Sequence, residues 1–123
     1  MAYQTRAHDD PRYVEIRYSG EVTPAEMRCA ARAILALADR HGTYRVLADC
    51  AELSGGHSII DLHDVADWLA ADPARATLRE AVVLPDAPEP NRKLAFWEMA
   101  CVNRGLDVRA FASYREAVLW LCS

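Results

Sequence analysis

A short apolar run in the second half of the chain constrains the fold more than any other feature. Residues 80–84 read Glu-Ala-Val-Val-Leu, and Pro85 ends the run. A strand that is apolar on both sides must be covered by protein on both faces, which is typical of the inner strands of parallel sheets. We therefore predict that this segment lies centrally in an α/β domain.

Strand patterns alternate with helical patterns along most of the chain. The predicted strands are Tyr3–Ala7, Tyr13–Tyr18, Tyr44–Asp49, Glu80–Leu84 and Leu106–Phe111. The predicted helices are Pro24–His41, a second from about Ser58 to Asp72, a third from about Asn91 to Arg104, and a last one that follows Ser113. The order ββαβαβαβα predicts a mixed, mostly parallel sheet of about five strands flanked by four helices, with the N-terminal hairpin as an antiparallel edge.

Capping signals mark the ends of these helices. Thr23-Pro24-Ala25-Glu26 is a capping box with proline at the first helical position, and Gly42 suits a left-handed stop. Residues 113–116, Ser-Tyr-Arg-Glu, form a second capping box before the last helix. Asp72-Pro73 ends the second helix, because a residue before proline avoids the helical region.

Length and composition limit the function. A chain of 123 residues predicts one domain, residues 1–123, and its net charge of −4 argues against nucleic acid and anionic membrane surfaces as partners. No apolar run approaches the roughly 20 residues that span a bilayer, and the first residues lack a signal-peptide pattern. We therefore expect a cytoplasmic protein with no membrane span.

The chain's four cysteines are widely separated. They are Cys29, Cys50, Cys101 and Cys122, and none belongs to a Cys-x-x-Cys pair. This spacing is poor for a local metal site or a redox pair. We expect reduced thiols that behave as small core residues.

Several segments together resemble a known family. They are Gly20-Glu21-Val22-Thr23, Arg45-Val46-Leu47-Ala48-Asp49, Val108-Arg109-Ala110-Phe111 and Glu116-Ala117-Val118-Leu119-Trp120-Leu121. From about Tyr13 to Leu121 the chain resembles the small bacterial SpoIIAA-like proteins of the STAS superfamily. The resemblance implies a mixed sheet flanked by helices. The best-understood members are anti-sigma-factor antagonists that bind a protein partner and are switched by phosphorylation, and other members are related to lipid-binding SEC14-type domains.

The loop between the third strand and the second helix is the candidate binding site. Its residues are Ser54, Gly55, Gly56, His57 and Ser58. Two glycines let the backbone approach a ligand closely, and a helix N-terminus offers free amides to an anion or phosphate. The Asp-Ser-Ser-Gly type sequence of the phosphorylated members is missing, so a phosphoserine switch is not expected from the motif. If a kinase partner exists, Ser58 is the better candidate; otherwise it is an ordinary N-cap.

No residue set in the chain predicts catalysis or cofactor binding. There is no Ser-His-Asp elbow, no recognisable carboxylate pair and no nucleotide fingerprint, so we expect a protein that is not an enzyme. His57, Asp61 and Asp64 would share one face of a helix that included His57. Their spacing is not the His-Glu-x-x-His pattern, and acidic residues are favoured in a first helical turn, so we expect no metal.

Two functions are the main hypotheses, and an enzyme remains a third possibility. The first is a non-enzymatic regulatory module that binds a protein partner through the Ser54–Ser58 loop and has no internal cavity. The second is a carrier of a small lipophilic ligand or an anion, which predicts an apolar cavity under the helices of about a few hundred Å³.

The third helix is apolar on nearly every side. Between Leu94 and Val102 only Glu98 is polar. Such a helix needs cover on a second face, and large exposed apolar patches are uncommon on monomers. We therefore predict a homodimer with Phe96 or Trp97 at its interface. The alternatives are that the second face lines a ligand cavity or that the last helix, with Trp120, covers it.

Overall fold

A computed structural model describes residues 2–123 and places them in five strands and four α-helices. The strands are β1 (Tyr3–Asp9), β2 (Arg12–Glu21), β3 (Arg45–Gly55), β4 (Arg79–Val83) and β5 (Asp107–Phe111). The helices are α1 (Pro24–His41), α2 (Ile59–Ala70), α3 (Pro88–Val102) and α4 (Tyr114–Leu121), and a 3-10 turn (Pro73–Arg75) precedes β4. Of the helices in this described part, none is long and apolar enough to cross a membrane.

The strands lie side by side in the order in which they occur along the chain. β1 is antiparallel to β2, and every later pair is parallel. This confirms the predicted mixed, mostly parallel sheet with an antiparallel edge. Because right-handed crossovers between successive neighbours all turn the same way, α1, α2 and α3 lie on one face of the sheet. α4 packs on the opposite face, against β3 and β4.

Each face of the sheet has its own apolar core. The larger core joins the sheet to α1, α2 and α3, and the smaller one joins it to α4 through Leu47, Ala81, Val83 and Leu121, among others. β4 contributes to both cores, as expected for a strand that is covered on each side. It lies between β3 and β5, so the middle strand of the five is β3.

Helix starts and stops follow the capping signals. Thr23 and Glu26 form both hydrogen bonds of a capping box, and Gly42 has the left-handed conformation. Ser113 caps α4. α3 begins at Pro88 and not near Asn91, because proline is well tolerated where backbone N–H groups have no partner in the helix.

β3 is longer than predicted and runs to Gly55. Its outer part continues to pair with β2, through Ser19 with Glu52 and Glu21 with Gly55, across two irregularities in register. In this outer part of β3, apolar and polar residues do not alternate as in a regular strand, because bulges change which side chains face the core.

The cysteines divide between core and surface, and all four are free thiols. Cys50 and Cys101 are buried, as predicted. Cys29 is exposed and Cys122 is half-buried, so the prediction of core positions is wrong for those two.

Candidate functional site

A cavity lies between the sheet and the three crossover helices. Its volume is about 90 Å³, counted as the space that water centres can reach. This is smaller than the few hundred Å³ that the carrier hypothesis predicts. The walls are mainly aliphatic, with Ala48 and Val82 on the sheet and Ile34, Val65 and Leu94 supplied by the three helices in turn.

One acidic side chain interrupts this apolar lining. Glu80 lies on β4, two residues before Val82 and on the same face. Its Oε1 accepts a hydrogen bond of 2.7 Å from the indole Nε1 of Trp97. Among residues 2–123, no other side chain or amide is hydrogen-bonded to the Glu80 carboxyl, so its second oxygen is free to meet a ligand in the cavity.

Burial controls the protonation of this carboxyl. Glu80 is half-buried, and its partial removal from water raises its pKa to about 7, although the bond from Trp97 favours the charged form. Two other polar lining groups, Tyr18 and Cys50, have pKa values raised well above their usual range, first by burial and then by nearby acidic groups that include Glu80. Both remain neutral at physiological pH.

His57 is the second unusual polar group in the lining. It is 7% exposed, and neither ring nitrogen makes a hydrogen bond of good geometry. Burial, together with the charge of Lys93, lowers the pKa of His57, and the nearby Gly55 backbone opposes this only in part. The imidazole therefore sits in the cavity wall mostly in its neutral form.

The predicted binding loop is held firmly in place. The Val22 amide donates to the Gly55 carbonyl at 2.9 Å, and Lys93 Nζ donates to the His57 carbonyl at 2.8 Å. Gly56 has φ +94°, and a Cβ atom there would lie 2.7 Å from the Val22 backbone. Ser54 and Gly55 form the end of β3, and His57 is the residue of the predicted site that lines the cavity. Ser54, Gly56 and Ser58 lie at the surface, and Gly55 and His57 are buried.

The N-terminus of α2 is already occupied by a carboxylate of the chain itself. Ser58 accepts a bond from the Asp61 amide, and the Asp61 carboxylate accepts bonds of 2.8 Å from both the amide and the hydroxyl of Ser58. These bonds lower the pKa of Asp61. An anion or a phosphoryl group at Ser58 would meet this negative charge, so the geometry gives no support to the anion site considered from the sequence.

The three residues considered for a metal do not converge. His57 faces the cavity, whereas Asp61 is bonded to Ser58 at the helix start. The third, Asp64, instead lies with two other groups of α2, His63 and Asp67, and these three are close enough together to hold an ion. There Arg104 binds Asp67 at 2.7 Å and approaches His63 at 2.8 Å, so a guanidinium supplies the positive charge.

The two aromatic residues expected at a dimer interface have different surroundings. Trp97 is 8% exposed and lines the cavity, so most of its surface is already covered within the protomer. Phe96 is half-buried against the larger core. The outward stripe of α3 consists of Ala95, Met99 and Val102. The homodimer itself stays a prediction.

Sequence reasoning missed Glu80 and Tyr18 as site residues, and it named Trp97 for a dimer interface and not for the cavity. Glu80 could have been recognised, because it is two residues before Val82 and therefore points to the same face of the strand. A charged residue on a buried face of an inner strand is unusual. Tyr18 follows Val14 and Ile16 on one strand face, where it is indistinguishable from an ordinary core residue. Trp97 was assigned to the surface because α3 is apolar on most sides.

Comparisons with known proteins agree with this architecture. One similar solved structure is that of an uncharacterized protein from the DUF3478 family with a SpoIIAA-like fold, from Shewanella loihica PV-4. The two are 20% identical with a TM-score of 0.61, over 98% of this chain and 93% of that chain. No curated protein matches the sequence significantly. A model of the SpoIIAA-like family matches residues 13–122, which is most of the chain, and the protein therefore belongs to the SpoIIAA-like family.

Proposed function

We propose that this protein is a small binding module that takes a lipophilic ligand into the cavity between its sheet and crossover helices. The observation that carries the proposal is the combination of an apolar lining with polar groups that have unused hydrogen-bonding capacity, at Glu80 and His57. Ligand sites in proteins have this composition, a mainly apolar surface with a few placed polar groups.

The energetics favour a ligand-binding role over a packing defect. A cavity of this kind lowers stability, by about 24 cal/mol for each Å³ in measured core variants. A buried polar atom without a partner costs a further 1–3 kcal/mol or so. His57 incurs this cost at two nitrogens, and a ligand would recover part of both costs by filling the space.

The module is proposed to act by binding and not by catalysis. Cys50 lines the cavity and Cys101 is buried on α3, and burial raises the pKa of both thiols, so they are poor nucleophiles. Ser58 is engaged with Asp61 as a helix cap. We place the protein in the cytoplasm, where four free thiols would stay reduced.

A second candidate function is the regulatory module that binds a protein partner. The SpoIIAA-like fold fits a regulatory or interaction role. Beside the Ser54–Ser58 loop, Ile59 is 48% exposed and Ile60 is 72% exposed, so the start of α2 presents apolar surface. Because α2 also forms one wall of the cavity, a bound ligand and a bound partner would meet at the same helix.

The cavity is tested by filling it from within. Ala48 lies on β3 and faces the cavity, whereas Ala51 lies on the same strand and is exposed. Ala48→Leu should abolish binding of a medium-chain apolar ligand measured by calorimetry, and Ala51→Leu should leave it unchanged. Equal binding by both variants, or none by the wild type across neutral and charged ligands, would contradict a ligand function for the cavity.

A further inference from the structure

The polar groups around the cavity restrict the ligands that it can accept. Glu80 is the acidic group in the lining, which also contains the phenol of Tyr18, the thiol of Cys50 and the indole of Trp97. Among residues 2–123, no lysine or arginine side chain lines the cavity. His57 completes the polar lining as an imidazole whose ring nitrogens make no hydrogen bond of good geometry.

A ligand with a negative charge would be poorly accommodated. A carboxylate or phosphate buried here would lie in an apolar space with an acidic side chain and with no cation to balance it. Burial of an unpaired charge is among the costliest events in a protein interior. Fatty acid anions are therefore selected against.

A ligand with a positive charge would also be left unsatisfied. An ammonium group has three donors and needs several acceptor oxygens once water is removed. The free oxygen of Glu80 and the hydroxyl of Tyr18 are the side-chain oxygens that border this space, and Oε1 already accepts from Trp97. An ammonium group on an apolar tail would thus lose more free energy on dehydration than it would regain from hydrogen bonds in the cavity.

A neutral hydroxyl matches what the lining offers. It donates one hydrogen bond and accepts others, and a carboxyl group can act on either side of such a bond. We propose that the cavity is specific for small neutral amphiphiles that end in a hydroxyl group, with Glu80 as the residue that selects the hydroxyl and rejects carboxylates. This inference rests on the proposed function and adds the ligand class to it.

The protonation state of Glu80 then controls affinity. An apolar ligand displaces the water that would solvate a charged carboxylate, so binding favours the neutral acid. The titratable groups around Glu80 are Tyr18 on β2, Cys50 on β3, Cys101 on α3 and His57 in the loop. The first three have raised pKa values and His57 a lowered one, so Glu80 is the group that changes charge near neutral pH.

Three eight-carbon ligands with different head groups test the inference: octan-1-ol, octanoate and octylammonium. Binding is measured by calorimetry and by the NMR signal of the Trp97 indole N–H, which is hydrogen-bonded to Glu80. We expect octan-1-ol to bind at least about tenfold more tightly than either ion. If only the neutral acid accepts the ligand, octan-1-ol affinity should fall about tenfold between about pH 6 and about pH 8.

The matched variant is Glu80→Gln, which keeps an acceptor for Trp97 and removes the titration. Octan-1-ol affinity in this variant should be independent of pH. The ratio of octan-1-ol affinity to octanoate affinity should be smaller than in the wild type. Octanoate or octylammonium binding as tightly as octan-1-ol in the wild type would overturn the ligand class while leaving a lipophilic cavity in place. Absence of binding by all three ligands would overturn the proposed function itself. The wild-type pH series decides the matter even if the variant folds poorly.

Discussion

Glu80 shows how a single residue can give a cavity its chemistry. In a solvent-exposed strand this side chain would be an ordinary carboxylate, but here it faces aliphatic walls and one indole donor. Its environment could not be predicted from the sequence. The alternation of side chains along β4 identifies the face of the sheet on which Glu80 lies, but not whether a cavity lies next to that face. The same holds for His57, whose burial depends on a loop that is bonded to Val22 and Lys93.

The raised pKa of Glu80 predicts how stability changes with pH. The ordinary value is 4.5 and the folded value is about 7, so the folded protein binds this proton more tightly than the unfolded chain. The stabilisation is complete below about pH 4.5 and is lost as the pH rises through about 7. At 1.36 kcal/mol per pKa unit the loss is roughly 3 kcal/mol. Urea unfolding of the wild type and of Glu80→Gln from about pH 5 to about pH 8 measures it.

The difference between the two unfolding curves isolates Glu80. The lowered pKa of His57 acts in the opposite direction, since it makes stability increase as the pH rises towards 6.5. That contribution is common to both proteins and cancels in the difference. Parallel curves for the wild type and the variant would show that the Glu80 carboxyl keeps an ordinary pKa.

Two glycines with positive φ offer a matched test of loop packing. A side chain at Gly56 would meet the Val22 backbone at 2.7 Å, whereas one at Gly105 would meet nothing within 4 Å. Gly105→Ala should cost only the left-handed backbone strain, about 1–2 kcal/mol. Gly56→Ala should reduce the free energy of unfolding at least about twice as much. Equal losses would mean that the loop can move away from Val22.

At the scale of elements, the sequence was a good guide where local chemistry decides the structure. The capping box at Thr23 and the glycine stop at Gly42 lie where they were predicted. The outer half of β3 was missed, because its pairing with β2 depends on long-range register and not on a local pattern. The start of α3 at Pro88, earlier than predicted, is a smaller error. Proline disrupts the interior of a helix but is well tolerated in its first turn, so its position alone does not show where a helix begins.

The start of α2 predicts unequal roles for its two neighbouring serines. Ser58 caps the helix and is bonded to Asp61, whereas Ser54 is exposed and its hydroxyl makes no hydrogen bond to the described residues. Ser58→Ala should lower the free energy of unfolding by about 1 kcal/mol, because a helix loses its cap. Ser54→Ala should change it by less than about 0.5 kcal/mol. If Ser54→Ala lowered the free energy of unfolding more than Ser58→Ala does, the assignment of the helix cap to Ser58 would be wrong.

At the scale of the whole molecule, one topological fact creates the site. Because the strands are ordered as in the chain, three successive crossovers bring three helices to one face, and α4 alone is left for the other. The alternation of strands and helices predicts the crossovers but not the strand order, so it could not predict on which face a cavity would form. The cavity also accounts for much of the apolar character of α3, through Leu94 and Trp97.

The remaining apolar surface of α3 is where the predicted homodimer would form. Ala95, Met99 and Val102 form an outward stripe with Phe96 half-buried beside it, and Met99 and Val102 are each 53% exposed. Trp120 does not cover this stripe, because it packs on Phe111 on the other face of the sheet. We predict a two-fold dimer through α3.

Sedimentation at micromolar concentration measures the mass of the wild type and of two charge variants. Met99→Lys should give a monomer, because an unpaired charge at an apolar interface is costly to bury. Leu119→Lys places the same charge on α4, at a side chain that is 63% exposed on the opposite face, and should leave the dimer intact. A wild-type mass of 13.7 kDa would rule out the dimer. In that case one apolar face of α3 is explained by its position against the cavity, and the apolar stripe around Met99 is small enough to be exposed on a monomer.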